Sequence, residues 1–380
     1  MLQLTDVEIE YVKEFKSFTN NNVVPHANQF DKTERLSEQV IQKLKESGYL
    51  GSMIPEEYGG LGLSQVAIGL LNREIGRGCS SLRSLLTVHG MVALSILRWG
   101  TAEQKSYYLP KMASGEILAA FALSEPEVGS DANAIQCTAD LSEDKYVING
   151  CKKWTTMAQI ADIILVVAKC NDKVTAFIVE ANTKGLSINK VNGLIGLKAS
   201  MMAELCFNDC CVPQDNIIGK IGMGLSHVAL SGLDYGRYTV AWGCVGMSKI
   251  CLEKSIHYSK KRKQFGEPIR KHELIQKMIT EMVVQTQAAE LMCYNAGNLK
   301  DKGNTDSIMS VWHAKYLASK TANLVSGYAI QVMGANGCME SNSVERFYRD
   351  AKIMEIIEGS SQIHEILIAN NAYVGDKVYR

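Results

Sequence analysis

The chain has 380 residues, 46% hydrophobic and 21% charged, enough for two or three packed units of ordinary globular composition. Forty lysines and arginines balance forty aspartates and glutamates, which argues against nucleic acid as the main partner. No apolar run approaches the roughly 20 residues of a membrane span, and the acidic, amphipathic start "MLQLTDVEIEYVKEF" lacks the basic start and apolar core of a signal peptide.

The first 117 residues read as helical. In "LSEQVIQKLKESGYL", Leu36, Val40, Ile41, Leu44 and Leu50 fall near helical spacing, and Gly48 ends the segment. "GSMIPEEYGGLGLS" is a Pro/Gly loop, after which "SQVAIGLLNREIGRG" and "SSLRSLLTVHGMVALSILRWG" resume the helical pattern. From Phe121 to Val212, short β-branched runs such as "ADIILVVAKC" and "VTAFIVEA" alternate with turns, which predicts an antiparallel β domain. The helical period then returns. "HELIQKMITEMVVQ" carries Leu274, Ile275, Met278, Ile279, Met282 and Val283 as a broad apolar stripe, expected of a buried bundle helix. The predicted domains are 1–117, 118–221 and 222–380.

Common nucleotide signatures fail. "GKIGMGLSH" offers Gly222 and Gly224, but His227 stands where GxGxxG needs its third glycine, and no GxxxxGK[ST] occurs. The seven histidines are scattered without HxxH or HExxH, so no metal is expected. The eleven cysteines show no CxxC and lie in settings such as "AWGCVGM", which predicts reduced, buried thiols in a cytoplasmic protein.

"FALSEPEVGSDANA" is either a polar surface loop or a strand-end loop able to hydrogen-bond a heterocycle or phosphate. In "KKWTTMA", Trp154 is either core or a face for a flat ligand. "YSKKRKQFG" holds four consecutive basic residues, Lys260 to Lys263, mostly a solvated helix end with room for one phosphate ligand. "QVMGANGCM" reads as a glycine-rich helix stop, and Arg346, Arg349 and Asp350 in "VERFYRDAK" as an ion-pair network. In "MEIIEGSSQIHE", Gly359 breaks the helical pattern and Ser360 or Ser361 can cap the next helix. Glu358 is then either a helix-end carboxylate facing water or a general base desolvated by Ile356 and Ile357. The stretch alone favours the first.

Taken together, "GYLGSMIPEEYGGLGLS", "GTAEQKSYYLPKMASGE", "FALSEPEVGSD", "INGCKKWTT", "KRKQFGEPI", "QVMGANG", "VERFYRDAK" and "IIEGSSQI" resemble the acyl-CoA dehydrogenase family, in its order and spacing. The resemblance implies a mainly α fold: an N-terminal helical domain, a middle β domain and a C-terminal four-helix bundle. It also implies a homodimer or homotetramer with FAD between subunits. By the same resemblance Phe121, Leu123, Ser124, Gly129 and Ser130 lie along the flavin and pyrophosphate, and Trp154 and Thr156 at the ring. Arg262, Gln264 and Phe265 would reach the neighbouring subunit's FAD, Gln331 and the Gly334–Gly337 turn the adenine end, and Ser360 and Gln362 the FAD just after the base. Of the family's two base positions, one is Glu358 and the other is occupied by Gly236, so Glu358 is expected to be catalytic. Arg237 would shape the substrate site.

"CSSLRSLLTVHGM", "DYGRYTVAWGCVGM" and "RDAKIMEIIEGSS" further resemble the acyl-carrier-protein dehydrogenases of polyketide extender-unit pathways. That implies a short polar acyl thioester, of glyceryl, hydroxyacyl or seryl type, on an acyl carrier protein. Electron-transfer flavoprotein or oxygen would be the acceptor. The rival readings are a catabolic short-chain acyl-CoA dehydrogenase and a non-catalytic helical scaffold.

Overall fold

The computed structural model describes residues 2–374. Six helices come first: α1 (Asp6–Asn22), α2 (Ala27–Thr33), α3 (Glu38–Glu46), α4 (Gln65–Gly78), α5 (Ser80–Trp99) and α6 (Ala102–Ser114). Their starts follow capping chemistry. Thr5 and Glu8 close a capping box on α1, and Thr101 and Gln104 do so on α6. Gly48, at φ 72°, turns the chain after α3. Helix α5 is buried from Ser80 to Ile96. Among the described residues it is the one helix long and apolar enough to cross a membrane, yet it forms protein core.

Eight strands follow: β1 (Ala119–Ala122), β2 (Thr138–Ser142), β3 (Lys145–Thr155), β4 (Ile163–Cys170), β5 (Lys173–Glu180), β6 (Leu186–Lys190), β7 (Ala203–Pro213) and β8 (Ile217–Ile218). They form one sheet in the order β6-β7-β3-β2-β4-β5-β8, with β1 also beside β4. The sheet is mixed rather than purely antiparallel, because β1 and β2 both run parallel to β4. A parallel neighbour needs a long crossover, and the loop 123–137 with the β2–β3 hairpin supplies one between β1 and β4. The expectation of reduced cysteines fails for one pair. Cys151 and Cys206 are directly opposed on β3 and β7, with Cα atoms 4.2 Å apart, and are bonded as a disulfide. Strand register, not sequence spacing, brings them together.

Helices then resume as α7 (Leu230–Lys261), α8 (Glu273–Asp301), α9 (Ser307–Met333), α10 (Val344–Met354) and α11 (Ser361–Val374). Helix α9 packs against α7, α8, α10 and α11, and α4 and α5 pack against α7, so the two helical regions share a core. Between α7 and α8, β9 (Lys263–Gln264) pairs with β10 (Glu267–Pro268) across a Phe265–Gly266 turn with both φ positive.

Two expectations change here. On α8, Met282 is buried, but Leu274 is 76% exposed and Val283 and Val284 are also uncovered. The stripe is too broad for one chain to cover, since α8 has only one side against α7, α9 and α4. The predicted ion-pair network also divides. Arg349 pairs with Asp31 at 2.6 Å and Glu345 at 2.8 Å. Arg346 instead donates to Asn28 Oδ1 and the Gly78 carbonyl, while Asp350 accepts from the Leu197 amide.

Candidate active site

The segment joining α10 to α11 carries Glu358. Glu358 and Gly359 both take positive φ, 55° and 91°, which a non-glycine residue holds only under constraint. The constraint comes from two buried cations. Arg237 Nε on α7 donates to the Glu358 carbonyl at 3.1 Å. Lys315 Nζ on α9 donates to the Gly359 carbonyl at 2.7 Å. Ser360 Oγ then accepts from the Ile363 amide and caps α11.

This turn aims the Glu358 side chain at α7. A Cβ on Gly236 would lie 2.4 Å from Glu358 Oε2, so only glycine leaves room for the carboxylate. The residue is partly covered as a whole, but Oε2 is buried and has no hydrogen-bond partner. Burial pushes the carboxyl up to about 6, against the opposing pull of Arg237, Lys315 and Arg83. The shielding differs from the sequence expectation. Ile356 is 56% exposed and Ile357 packs only partly, so α7 and α9 desolvate Glu358 rather than its chain neighbours.

Behind the turn, the Arg237 guanidinium lies 4.1 Å from the Trp312 ring centre, and His364 meets the indole edge-on with centroids 4.7 Å apart. Burial, with Lys315 and Arg237 nearby, lowers His364 to about 3, so its imidazole is neutral. Burial lowers Lys315 to about 8. Sequence reasoning missed Trp312, Lys315 and His364. A signal existed: Lys315 lies on the same buried face as Val311, Ala314, Ala318 and Ala322, where a lysine needs a partner.

The remaining candidates fall into two groups. The first surrounds the loop after β1. Phe121 is buried, Leu123 and Ser124 are half-buried, and Gly129 and Ser130 are exposed. The backbone N–H groups of Gly129 and Ser130 make no hydrogen bond among the described residues, and a Cβ on Gly129 would meet open space. Trp154, at the end of β3, is 52% exposed at φ 65°, with half-buried Thr156 beside it. An ion pair the sequence did not suggest fixes this loop. Lys152 Nζ, with no exposed surface, bonds Glu125 at 2.7 Å and the Leu123 carbonyl at 3.0 Å. Glu125 also accepts from the Gln136 and Cys137 amides. Burial raises the Glu125 carboxyl, but Lys152 and these amides outweigh it and hold it below its ordinary value. The alternation in β3, where Tyr146, Ile148 and Lys152 face inward, was the available signal.

The second group lies at the far end of α7. A cavity of about 600 Å³ is lined by Lys254, Tyr258, Lys261, Arg262, Asn336, Met339, Ser341 and Asn342. Gln264 and Phe265 on the hairpin are exposed, Phe265 by 95%, as are Gln331 and Gly334 at the end of α9, while Gly337 is buried. Gln362 is exposed on α11. Of the candidates, the cavity lining includes Arg262 alone.

These features fit a flavin dinucleotide. An exposed indole suits a flat ring, free loop amides suit phosphate oxygens, and three cations around a polar cavity suit a charged nucleotide.

Comparison with known proteins gives the same answer. The acyl-CoA dehydrogenase N-terminal domain matches residues 5–116, the middle domain 120–210 and the C-terminal domain 222–373. The pig mitochondrial short-chain specific acyl-CoA dehydrogenase is 36% identical over 94% of this chain and 87% of its own. Among solved structures, FkbI, for biosynthesis of the methoxymalonyl extender unit of the polyketide Fk520, superposes with a TM-score of 0.88. It is 32% identical, over 96% of this chain and 99% of its own. The prolyl acyl carrier protein oxidase AnaB superposes at 0.93 with 28% identity, over 97% and 99%. The chain belongs to the acyl-CoA dehydrogenase family, and is a FAD-dependent oxidoreductase acting on acyl thioesters.

Proposed function

We propose that the protein oxidises a short, polar acyl thioester carried on an acyl carrier protein, with Glu358 as the base. The observation that carries the choice of base is the buried, unpartnered Glu358 Oε2 against Gly236. A carboxyl near 6 is ionised at neutral pH yet basic enough to take a proton. Arg237 and Lys315 hold the turn that points it, and their charge keeps the ionised form accessible. Bound FAD supplies the acceptor for the hydride. Glu358 receives the α-proton if the product is an enoyl thioester. It receives a hydroxyl proton if the substrate is a three-carbon alcohol or aldehyde hydrate oxidised at C3.

The cofactor roles follow the two groups of residues. Phe121, Leu123, Ser124, Gly129, Ser130, Trp154 and Thr156 would hold the flavin end. Arg262, Gln264, Phe265, Gln331, Gly334 and Gly337 would hold the dinucleotide of a second copy, and Ser360 and Gln362 would approach FAD beside the base. The uncovered apolar face of α8 supports sharing between subunits. The homo-oligomer is a dimer or tetramer, and the acceptor of the electrons is electron-transfer flavoprotein or oxygen.

The carrier-protein assignment is supported by the three local motifs and by the likeness to FkbI and AnaB. The catabolic alternative is supported by the likeness to the short-chain dehydrogenase. Mass spectrometry of carrier protein loaded with glyceryl, seryl or butyryl groups and incubated with the enzyme decides between them. Loss of two mass units from a glyceryl or seryl group supports the proposal. Oxidation of butyryl-CoA alone refutes it.

A further inference from the structure

We propose that Arg98, Lys173, Lys220 and His227 form the docking surface for the acyl carrier protein that delivers the substrate. This rests on the carrier-protein reading above and adds where that partner sits.

The four side chains come from three separate parts of the chain. Arg98 and Trp99 end α5, Lys173 opens β5, and the segment from Lys220 to His227 leads into α7. Backbone contacts gather them. The Gly219 amide donates to the Trp99 carbonyl at 3.0 Å, which sets Lys220 beside the end of α5. The Gly222 amide donates to Thr175 Oγ1 at 3.2 Å, and a Cβ on Gly222 would lie 3.7 Å from Lys173 Cδ. The His227 ring meets the Trp99 indole edge-on, with centroids 5.1 Å apart.

All four side chains are exposed. Among the described residues none of them is in an ion pair. Of the residues adjoining them in the chain, Asp172 is the one acid, so the cluster keeps an excess of positive charge. The chain as a whole has no such excess, with forty lysines and arginines against forty acids. A local excess of this kind steers an oppositely charged partner to one place. Ile221 and Leu230, each 45% exposed, flank the cluster in the chain and offer apolar contact.

The surface stands at the end of a route to the base. Gly232 and Gly236 are about one turn apart on α7. The Glu358 carboxylate lies on Gly236, and the Phe121 ring, at the start of the flavin-side loop, would lie 3.1 Å from a Cβ on Gly232. Beside Gly232, Trp99 Nε1 donates to Ser231 Oγ at 3.0 Å, and the same indole touches His227. From His227 to Gly236 the helix rises roughly 13 Å. An extended phosphopantetheine arm exceeds that span, so a carrier protein seated on the cluster reaches Glu358 with its thioester. Carrier proteins are acidic around the serine that bears the arm, and the phosphodiester joining arm to serine is itself an anion. Both match the cluster. Coenzyme A brings phosphates but no protein surface, and the experiment separates the two.

The test uses FAD-loaded wild type and the triple variant Arg98→Glu, Lys173→Glu, Lys220→Glu. The probes are a fluorescently labelled holo-acyl carrier protein, the same carrier protein without its arm, and coenzyme A as competitor. Anisotropy gives Kd at low and high salt. Wild-type binding of the holo-carrier protein should weaken at high salt, where charges are screened. The variant should bind it at least about tenfold more weakly at low salt, as expected for reversing three exposed charges, with little salt dependence left. The armless carrier protein should show the same loss from a weaker start. A carrier protein with acidic residues beside its serine changed to lysine should recover part of the affinity for the variant, a rescue that misfolding cannot mimic. Equal Kd for wild type and variant overturns the docking surface while leaving a carrier protein as the partner. A loss for coenzyme A as large as that for the carrier protein makes the cluster a phosphate site and also overturns it. A wild type that binds coenzyme A and neither form of the carrier protein overturns the carrier-protein reading itself.

Discussion

Replacing Glu358 with glutamine should disable the enzyme and stabilise it. In the native protein this carboxyl sits at about 6, against an ordinary value of 4.5. The native state therefore holds the proton longer than the unfolded chain, and this stabilising contribution is full below pH 4.5 and lost as pH rises through 6. A shift of 1.5 units corresponds to about 2 kcal/mol by the usual 1.36 kcal/mol per unit. An isosteric amide does not ionise, so Glu358→Gln should exceed wild type in stability by about that amount at pH 8. Most of the gap develops between pH 5 and 8, where linkage gives a change of about 1.2 kcal/mol. The variant also controls for every other titrating group, since those are shared. Thermal unfolding of both proteins in saturating FAD, at pH 5 and pH 8, measures the gap. Flavin reduction by substrate should fall about 10²-fold or more in the variant, with FAD content unchanged. A gap that does not grow with pH would show that Glu358 is solvated, and the case for it as a desolvated base would collapse. Wild-type bleaching by the variant would place the base elsewhere.

Two further outcomes follow from the site. Lys315→Met removes a cation facing Glu358 and the donor to the Gly359 carbonyl, so the acidic limb of the pH profile for flavin reduction should move above 6. An unshifted limb would limit Lys315 to packing. Arg262→Ala should weaken FAD binding by roughly 10- to 100-fold, as expected for lost charge-assisted bonds to phosphate, and a titration showing unchanged affinity would remove Arg262 from the cofactor site.

Element types and the mainly α architecture were legible because periodicity and capping are local properties. Leu36, Val40 and Leu44 announce α3, and Gly48 its end. Glu358 was singled out as a candidate base only by elimination through the family resemblance, which implies a second base position that Gly236 occupies here. Its actual desolvation depends on α7 and α9, 121 and 43 residues away in the chain for Arg237 and Lys315 respectively. No local window contains that information. The same holds for Cys151 and Cys206, 55 residues apart, which only sheet register opposes. The burial of Arg83 was hidden for another reason. "SSLRSLLTVHG" is a good amphipathic pattern with the arginine free to be its polar face, and only packing against Gly243 places it inside.

The Lys152–Glu125 pair has a consequence for how the protein receives its cofactor. The loop from Leu123 to Cys137 is tied at its start by Lys152 Nζ on the Leu123 carbonyl and at its end by Glu125 on the Cys137 amide. None of these bonds involves a ligand. If this loop holds FAD as proposed, it is shaped before FAD arrives, and docking need not freeze a wandering segment, a step that costs rotamer and backbone freedom in sites assembled on contact. FAD removal should leave the strand pairing and this loop's amide protection from hydrogen exchange largely unchanged. Any rise in melting temperature on rebinding would then reflect mass action on a finished cradle rather than the folding of a new one.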